Sequence, residues 1–453
     1  MSFRVNLAAS IVALSLAALT VGGAQAQSIS QALAAAYQYA PDLQSALLNA
    51  KVSAENVALA KSRKLPTIGG SITATDSWQV NNGNLNDSKS LTAGLAYNQT
   101  LFDNFQTEAQ IEAARAGAEA AEYQIQNTEQ NVLLAVVQAY MNVLNDRELV
   151  ALRQDNVSFF DAQLKSARDR LGVGEGTKID VAQARARQAQ GLAAYRAAQS
   201  SLEISKATFQ RYVGASPQNL SASHNFGHLL PNTLEKAIAS AEANHPALRM
   251  AKAAIRAAQA GADGAGAAFG PTMTFTSSVG TGLSEPGGSQ GISGQFKLGL
   301  SVPIYAGGAI GAGVRKANLE QIKSEVDAMS AYDQVRQAVI SAWSGIQSAD
   351  AQIQAADAAV ASGREVLDGV IQERDLGTRT TLDVLNSQAE LETAREGLIN
   401  ASTQKVVATF SLLAATGQLT AGSLGLPVQV KSAAAYNATV EDVWQELRSV
   451  EDK

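Results

Sequence analysis

The chain has 453 residues, of which 46% are hydrophobic and only 17% charged; cysteine is absent, and 41 acidic against 35 basic side chains leave a net charge of −6. Charge this far below the roughly 25% of an average soluble domain, with Ala, Gln, Ser and Gly making up the difference, favours long helices with small side chains at their contacts. The missing cysteine excludes disulfide scaffolds, thiolate zinc sites, iron–sulfur clusters and thiol nucleophiles, and the acidic balance, without any dense basic stretch, excludes nucleic acid as the main partner.

Residues 1–26 read as an export signal. Arg4 gives a positive start, Ile11 to Val21 is apolar, and Ala24-Gln25-Ala26 offers a small-x-small cleavage site, so the mature chain is expected to begin at Gln27. The apolar run is shorter than the roughly 20 residues a spanning helix needs. No later stretch is apolar enough to span as a helix, so a membrane segment of this chain would have to be part of a barrel.

The next predicted elements are two strands. Pro66–Trp78 is rich in Thr and Ser with apolar residues in alternation. Ser90 to Phe102 alternates Leu91, Ala93, Leu95, Tyr97 and Leu101 with Thr92, Gly94, Asn98 and Thr100, which is strand periodicity. Asn81-Asn82-Gly83-Asn84 lies between them, so residues about 66–102 form a hairpin whose strands reach the 9 to 11 residues of a bilayer crossing.

A helical pattern without proline then runs from about Gln106 to Leu171, roughly 90 to 100 Å at 1.5 Å per residue. Gly172-Val173-Gly174-Glu175-Gly176 ends it, and a second helix is predicted at about Lys178–Tyr212. In the linker at 221–233, His224 and His228 are four apart, but Gly227 and Pro231 deny them a shared helix face, so no metal site is expected.

The second half repeats the first. Pro41-Asp42-Leu43 recurs as Pro246-Ala247-Leu248 at an offset of 205; at 203, Leu101-Phe102 matches Ile304-Tyr305, Gly174 matches Gly377, Ile179-Asp180-Val181 matches Leu382-Asp383-Val384, and Gly214 matches Gly417. Residues 27–220 and 234–420 are therefore two copies of one unit, with 421–453 a separate C-terminal segment. Copy two carries a strand hairpin at about 271–305, in which Phe296, Leu298, Leu300, Val302 and Ile304 alternate with Lys297, Gly299 and Ser301. Its long helix is predicted from about Gly313 to Leu376 and its second helix at about Thr381–Ala415.

The long helices share a seven-residue apolar rhythm. It reads Val335, Val339, Ala342, Ile346, Ala349, Ile353, Ala356, Val360, Gly363, Leu367, Val370 in copy two. In copy one it reads Val132, Val136, Ala139, Val143, Asp146, Val150, Arg153, Val157, Phe160, Leu164, Ala167, with Asp146 and Arg153 as polar interruptions. That rhythm belongs to helices supercoiled against neighbours. Two hairpins make four strands, too few to close a barrel when the smallest outer-membrane examples have about eight, so several chains must share one: a dimer gives eight strands and a trimer twelve. A soluble protein with its apolar strand face covered by other protein is the alternative. Trp78, Tyr97 and Tyr305, near strand ends, suit either an interfacial girdle or a core. Gly307 to Gly313 lacks the Lys of a P-loop and reads as a strand-to-helix corner. No nucleophile–base order or paired-carboxylate cleft is present, and no enzyme or cofactor is expected.

With these residues in place, the chain resembles the TolC-like outer-membrane efflux protein family. The corner Leu101-Phe102-Asp103-Asn104, its repeat Ile304-Tyr305-Ala306-Gly307-Gly308, and the tip Gly377-Thr378-Arg379-Thr380-Thr381-Leu382-Asp383-Val384-Leu385 carry the resemblance. It implies a membrane α+β fold: a homotrimer in the outer membrane of a Gram-negative bacterium, with a 12-stranded β-barrel continuous with a long α-helical periplasmic tunnel. Residues 214–233 and 418–453, with short helices near Ser30–Ala40 and Leu234–Asn244, would form a belt around the tunnel. Partners implied are a periplasmic adaptor, an inner-membrane transporter and outer-membrane lipid. The implied pore constriction falls on Asp383 and Asn386, where the family type has a second Asp in place of Asn386. The implied gate links fall on Asp180, Arg374 and Arg379, with Arg374 standing where the type has Tyr and one hydrogen bond expected to become an ion pair. The expected function is a passive exit duct for a tripartite efflux pump or type I secretion system. A periplasmic coiled-coil adaptor is the alternative, less suited to a chain that repeats hairpin and strand pair twice; a secreted structural coiled coil is a third.

Overall fold

The computed structural model describes residues 27–221, 226–285 and 288–441; the expected export signal and His224 lie outside them. Copy one begins with α1 (Ile29–Tyr39), whose first turn is closed by a capping box between Ser28 and Gln31. Helix α2 (Pro41–Ser62) starts on a proline, whose missing N–H costs nothing at a first helical position. Strands β1 (Thr67–Asn81) and β2 (Asn84–Phe102) follow, then α3 (Gln106–Gly172) and α4 (Lys178–Val213). Copy two supplies α5 (Leu234–Asn244), α6 (Pro246–Ala267), β3 (Thr272–Glu285), β4 (Ser289–Ser301), α7 (Ala309–Asp375) and α8 (Thr381–Ala415), and the C-terminal segment carries α9 (Ala434–Val440).

The copies agree to the residue. Starts of α1 and α5, α2 and α6, and β1 and β3 are 205 apart, whereas those of α3 and α7, and α4 and α8, are 203 apart, so the two-residue slip falls within the strand hairpins. Helices α3 and α7 both have 67 residues, roughly 100 Å each. Helix α7 starts at Ala309, four residues before the glycine-limited start at Gly313 suggested by the sequence, because Gly307 and Gly308 at positive φ turn the corner and Gly311 and Gly313 are simply absorbed into the helix. Strand β4 stops at Ser301, although the apolar alternation continues to Ile304: Pro303 has no N–H to extend a ladder.

The apolar rhythm is the packing seam. Every position named for α7 is buried or half-buried, and in α3 the seam is joined by a second buried row that includes Leu133, Val137, Tyr140 and Leu152. Helix α3 needs two rows because it packs against α2, α4, α6 and α8. The largest core lies where α1, α2 and the loop after α8 wrap its middle, around Leu33, Tyr37, Tyr140, Phe209, Phe410 and Leu413. Burying each such large side chain contributes about 1.5–3 kcal/mol. Two glycines at positive φ close this belt in the same way: Gly214 lies against the Tyr39 ring, and Gly417 against the backbone of Asn244 and His245, where any Cβ would collide.

The four strands form one antiparallel sheet in the order β1-β2-β3-β4, with β1 and β4 at its edges. Asn82 and Gly83, both at positive φ, make the two-residue turn between β1 and β2.

Candidate functional site

Register separates the two faces of the sheet, since directly opposed residues in antiparallel strands point the same way. One face carries Ile68, Ile72 and Trp78 of β1, Leu91, Leu95 and Tyr97 of β2, Phe275, Val279 and Leu283 of β3, and Ile292, Phe296 and Leu298 of β4. The other is almost wholly Ser, Thr, Gly, Asn and Gln, as in the row Thr67, Asn98, Thr276 and Lys297. Ile72, Ile292 and Phe296 are each at least 80% exposed, so the chain leaves its apolar strand face uncovered. A face of that size must be covered by lipid or by other protein. Asp76, Lys89 and Glu285 lie in one row across β1, β2 and β3 on this face, towards the hairpin turns, with Trp78, Val80 and Leu85 beyond them on β1 and β2. Among the described residues, no helix is long and apolar enough to cross a membrane.

At the opposite end of the molecule are the two hairpin tips. Each long helix ends just before a glycine at positive φ, Gly174 or Gly377, and the next helix starts with a threonine–aspartate capping box. The Asp180 carboxylate accepts from the Thr177 N–H at 2.9 Å, and the Asp383 carboxylate from the Thr380 N–H at 2.9 Å. These bonds hold both carboxyls below the usual aspartate range: for Asp180 the Thr177 hydroxyl contributes most, for Asp383 the Thr380 N–H. Both acids therefore cap the first turns of their helices, and the Thr381 side chain of the other tip adds a smaller lowering of the Asp180 carboxyl.

Arg374 is buried. Its Nη1 donates to Gln163 Oε1 of α3 at 2.6 Å, while Nε and Nη2 donate to Asp375 Oδ1 at 3.0 and 2.7 Å. The carboxylate it meets is thus its own neighbour in sequence, and within the chain its link to the other hairpin is a charge-assisted hydrogen bond to an amide, where an ion pair was expected. Arg379 stays within its own tip, with Nε donating to Glu373 Oε2 at 2.8 Å. Asn386 is held from the other hairpin, by Arg187 Nη2 at 3.0 Å. Gln163 and Arg187, neither of them singled out by sequence, supply the partners across the tips.

About two turns further from the tips lies a polar cluster that sequence reasoning touched only as an interruption. Arg153 on α3 meets Glu392 and Glu396 on α8; Asn156 donates to Glu392 and accepts from Gln388 at 3.0 Å. Asn156, Gln388 and Glu392 are all buried. Burial opposes the Arg153 charge, yet the bonds and charges of the two glutamates outweigh it and keep that guanidinium firmly protonated. The seam position that broke the apolar rhythm is therefore where the two hairpins are bolted together.

Among the described residues no His, Cys, Asp and Glu side chains are grouped as metal ligands. The sequence profile of the "Outer membrane efflux protein" family matches residues 29–215 and 237–418, the two structural copies in turn. The outer membrane efflux protein BepC of Brucella suis is 38% identical over 457 residues, covering 98% of this chain and 97% of that protein. The outer membrane protein TolC of Escherichia coli is 27% identical, covering 88% and 85%. The outer membrane channel CmeC of Campylobacter jejuni superposes with a TM-score of 0.77 at 16% identity, over 91% of this chain and 89% of that one. A double profile match over most of the chain, on a fold with exposed apolar strands at one end and helical hairpins at the other, leaves one conclusion: the chain belongs to the outer membrane efflux protein family.

Proposed function

We propose that three copies of the chain close a twelve-stranded barrel in the outer membrane, continuous with a tunnel of helical hairpins that crosses the periplasm, and that the assembly is a passive exit duct for a tripartite efflux pump or a type I secretion system. The observation that carries this is the open sheet: four strands with one bare apolar face and two unpaired edges, which only further strands can complete. The polar face then lines the pore and the apolar face meets lipid. The family relationship to BepC and TolC supports the outward path.

In this reading the tips are the gate. Asp383 and Asn386 stand at the constriction, and Asp180, Arg374 and Arg379 belong to the links that hold the tips inward. With Asn386 uncharged, one aspartate per chain sets the mouth. A periplasmic adaptor and an inner-membrane transporter supply the opening: the adaptor must bind the open tips better than the closed ones, since a ligand shifts an equilibrium only by its differential affinity. No chemical step is required of the duct itself.

The test is extraction of outer membranes in detergent, mass measurement and insertion into planar bilayers. A trimer with unit conductance steps is expected. A monodisperse, water-soluble monomer would overturn the reading.

A further inference from the structure

The four strands contain five charged residues, Asp76, Asp87, Lys89, Glu285 and Lys297. Register puts the first four together on the apolar face, in or beside a single row near the hairpin turns. Lys297 alone stands on the opposite face, between Phe296 and Leu298, which both point to the apolar side, and its cross-strand partner is Thr276. It is exposed, and it lies four residues before β4 ends at Ser301, at the end of the sheet that leads into the helices. The neighbouring positions on its face are Gln295, Gly299, Asn98 and Thr67, so no carboxylate of the sheet shares that surface with it.

We propose that Lys297 forms a ring of positive charge in the lumen of the closed barrel, one ammonium from each copy, and that this ring makes the barrel segment an attracting site for anionic solutes on their way out. The inference rests on the trimeric-barrel reading above. In a lumen lined by hydroxyls and glycines, nothing on the wall neutralises these charges. Salt screens them over about 8–10 Å, a distance comparable with the reach of a lysine from the wall, so the effect is strongest at low ionic strength. The ring is at the opposite end of the tunnel from Asp383, and the duct would thus present acids at the periplasmic mouth and bases at the barrel.

The test uses the full-length chain in planar bilayers under a KCl gradient at low salt, with Asp383→Asn as background so that the mouth does not set the ion preference. Lys297→Gln should lower the chloride-to-potassium permeability ratio about twofold or more, and Lys297→Glu should lower it further. Because the chain lacks cysteine, Lys297→Cys can be probed alone: a water-soluble anionic thiosulfonate should react with it, and should fail to react with Leu298→Cys. Unchanged permeability ratios in trimers of normal mass, or the reverse labelling pattern, would overturn the ring and leave the barrel standing. Absence of any trimer and any conductance in the unsubstituted chain would overturn the barrel reading and the ring with it.

Discussion

Arg153 and Glu392 meet across the boundary between the two hairpins with the carboxylate buried and the guanidinium half-buried, Asn156 on the second carboxylate oxygen and Glu396 on the second guanidinium nitrogen. Arg379 and Glu373, by contrast, form a pair whose side chains are both half exposed. A buried pair broken on one side leaves an uncompensated charge and costs about 3–5 kcal/mol, whereas an exposed pair costs little. Opening of the tips is therefore expected to spare the Arg153 cluster and to pivot below it.

Arg153→Ala should lower the unfolding free energy of the purified protein by about 3–5 kcal/mol. The paired replacement Arg153→Met with Glu392→Leu should recover most of it, and Arg379→Ala should leave denaturant midpoints where they are. Equal losses from Arg153→Ala and Arg379→Ala would show that the cluster is not a special anchor.

Arg374→Ser combined with Arg379→Ser should raise single-channel conductance by loosening the tips, because the first removes the buried bond to Gln163 and the second the bond to Glu373. Currents at the unsubstituted level would remove these residues from the gate.

Asp383 has two roles that substitution can separate. Asp383→Asn keeps an oxygen for the Thr380 N–H but removes the charge; Asp383→Ala removes both. Block by divalent cations should weaken equally in the two variants if charge at the mouth is what binds them. Only the alanine variant should fray the first turn of α8, read as faster amide exchange.

The depressed carboxyls of Asp180 and Asp383 set a pH dependence. A folded-state value below the unfolded one contributes stability that is fully present above the ordinary aspartate range near 3.9 and is lost as pH falls through the lower folded value. Amide exchange of the first turns of α4 and α8, corrected for its intrinsic pH dependence, should be flat from pH 7 to about pH 4 and accelerate below it.

Glu129 behaves in the opposite sense. It is buried in α3, and burial raises its carboxyl, an effect only partly offset by the N–H of Ala421 that it accepts. A raised folded value means a stability term fully present below the unfolded value and lost as pH rises through the folded one. Glu129→Gln, which can keep the bond to Ala421 without the charge, should raise the melting temperature at pH 8 and have little effect at pH 4. A pH-independent difference would show that burial does not raise this carboxyl, since equal folded and unfolded values leave no linkage to pH.

Much of the fold was legible because its signals are local and repeated. The seven-residue rhythm of α7, the glycine at each tip, the Ser/Thr alternation of the strands and the 205 and 203 offsets are all properties of sequence spacing, and the structure places helices, turns and strands within a few residues of them. Boundaries at Ala309 and Ser301 were misplaced where glycine was read as a breaker inside a helix and where one proline ends a strand that its side-chain pattern would continue, and β2 and β4 begin at Asn84 and Ser289, six and seven residues before their apolar alternation at Ser90 and Phe296, where polar residues still pair across the hairpin.

By itself, then, the sequence determined the duplicated plan, the helix lengths and the two-faced strands, since each follows from periods of two, three and a half, or two hundred residues along a single polymer. Only tertiary structure decided which side chains meet. Gln163 with Arg374, Arg187 with Asn386 and Arg153 with Glu392 come from residues about two hundred positions apart, brought together when the α3–α4 hairpin settles against the α7–α8 hairpin, chiefly through α8. No spacing rule links such partners, because their contact is fixed by how two separately formed hairpins settle against each other and not by the rise of either helix.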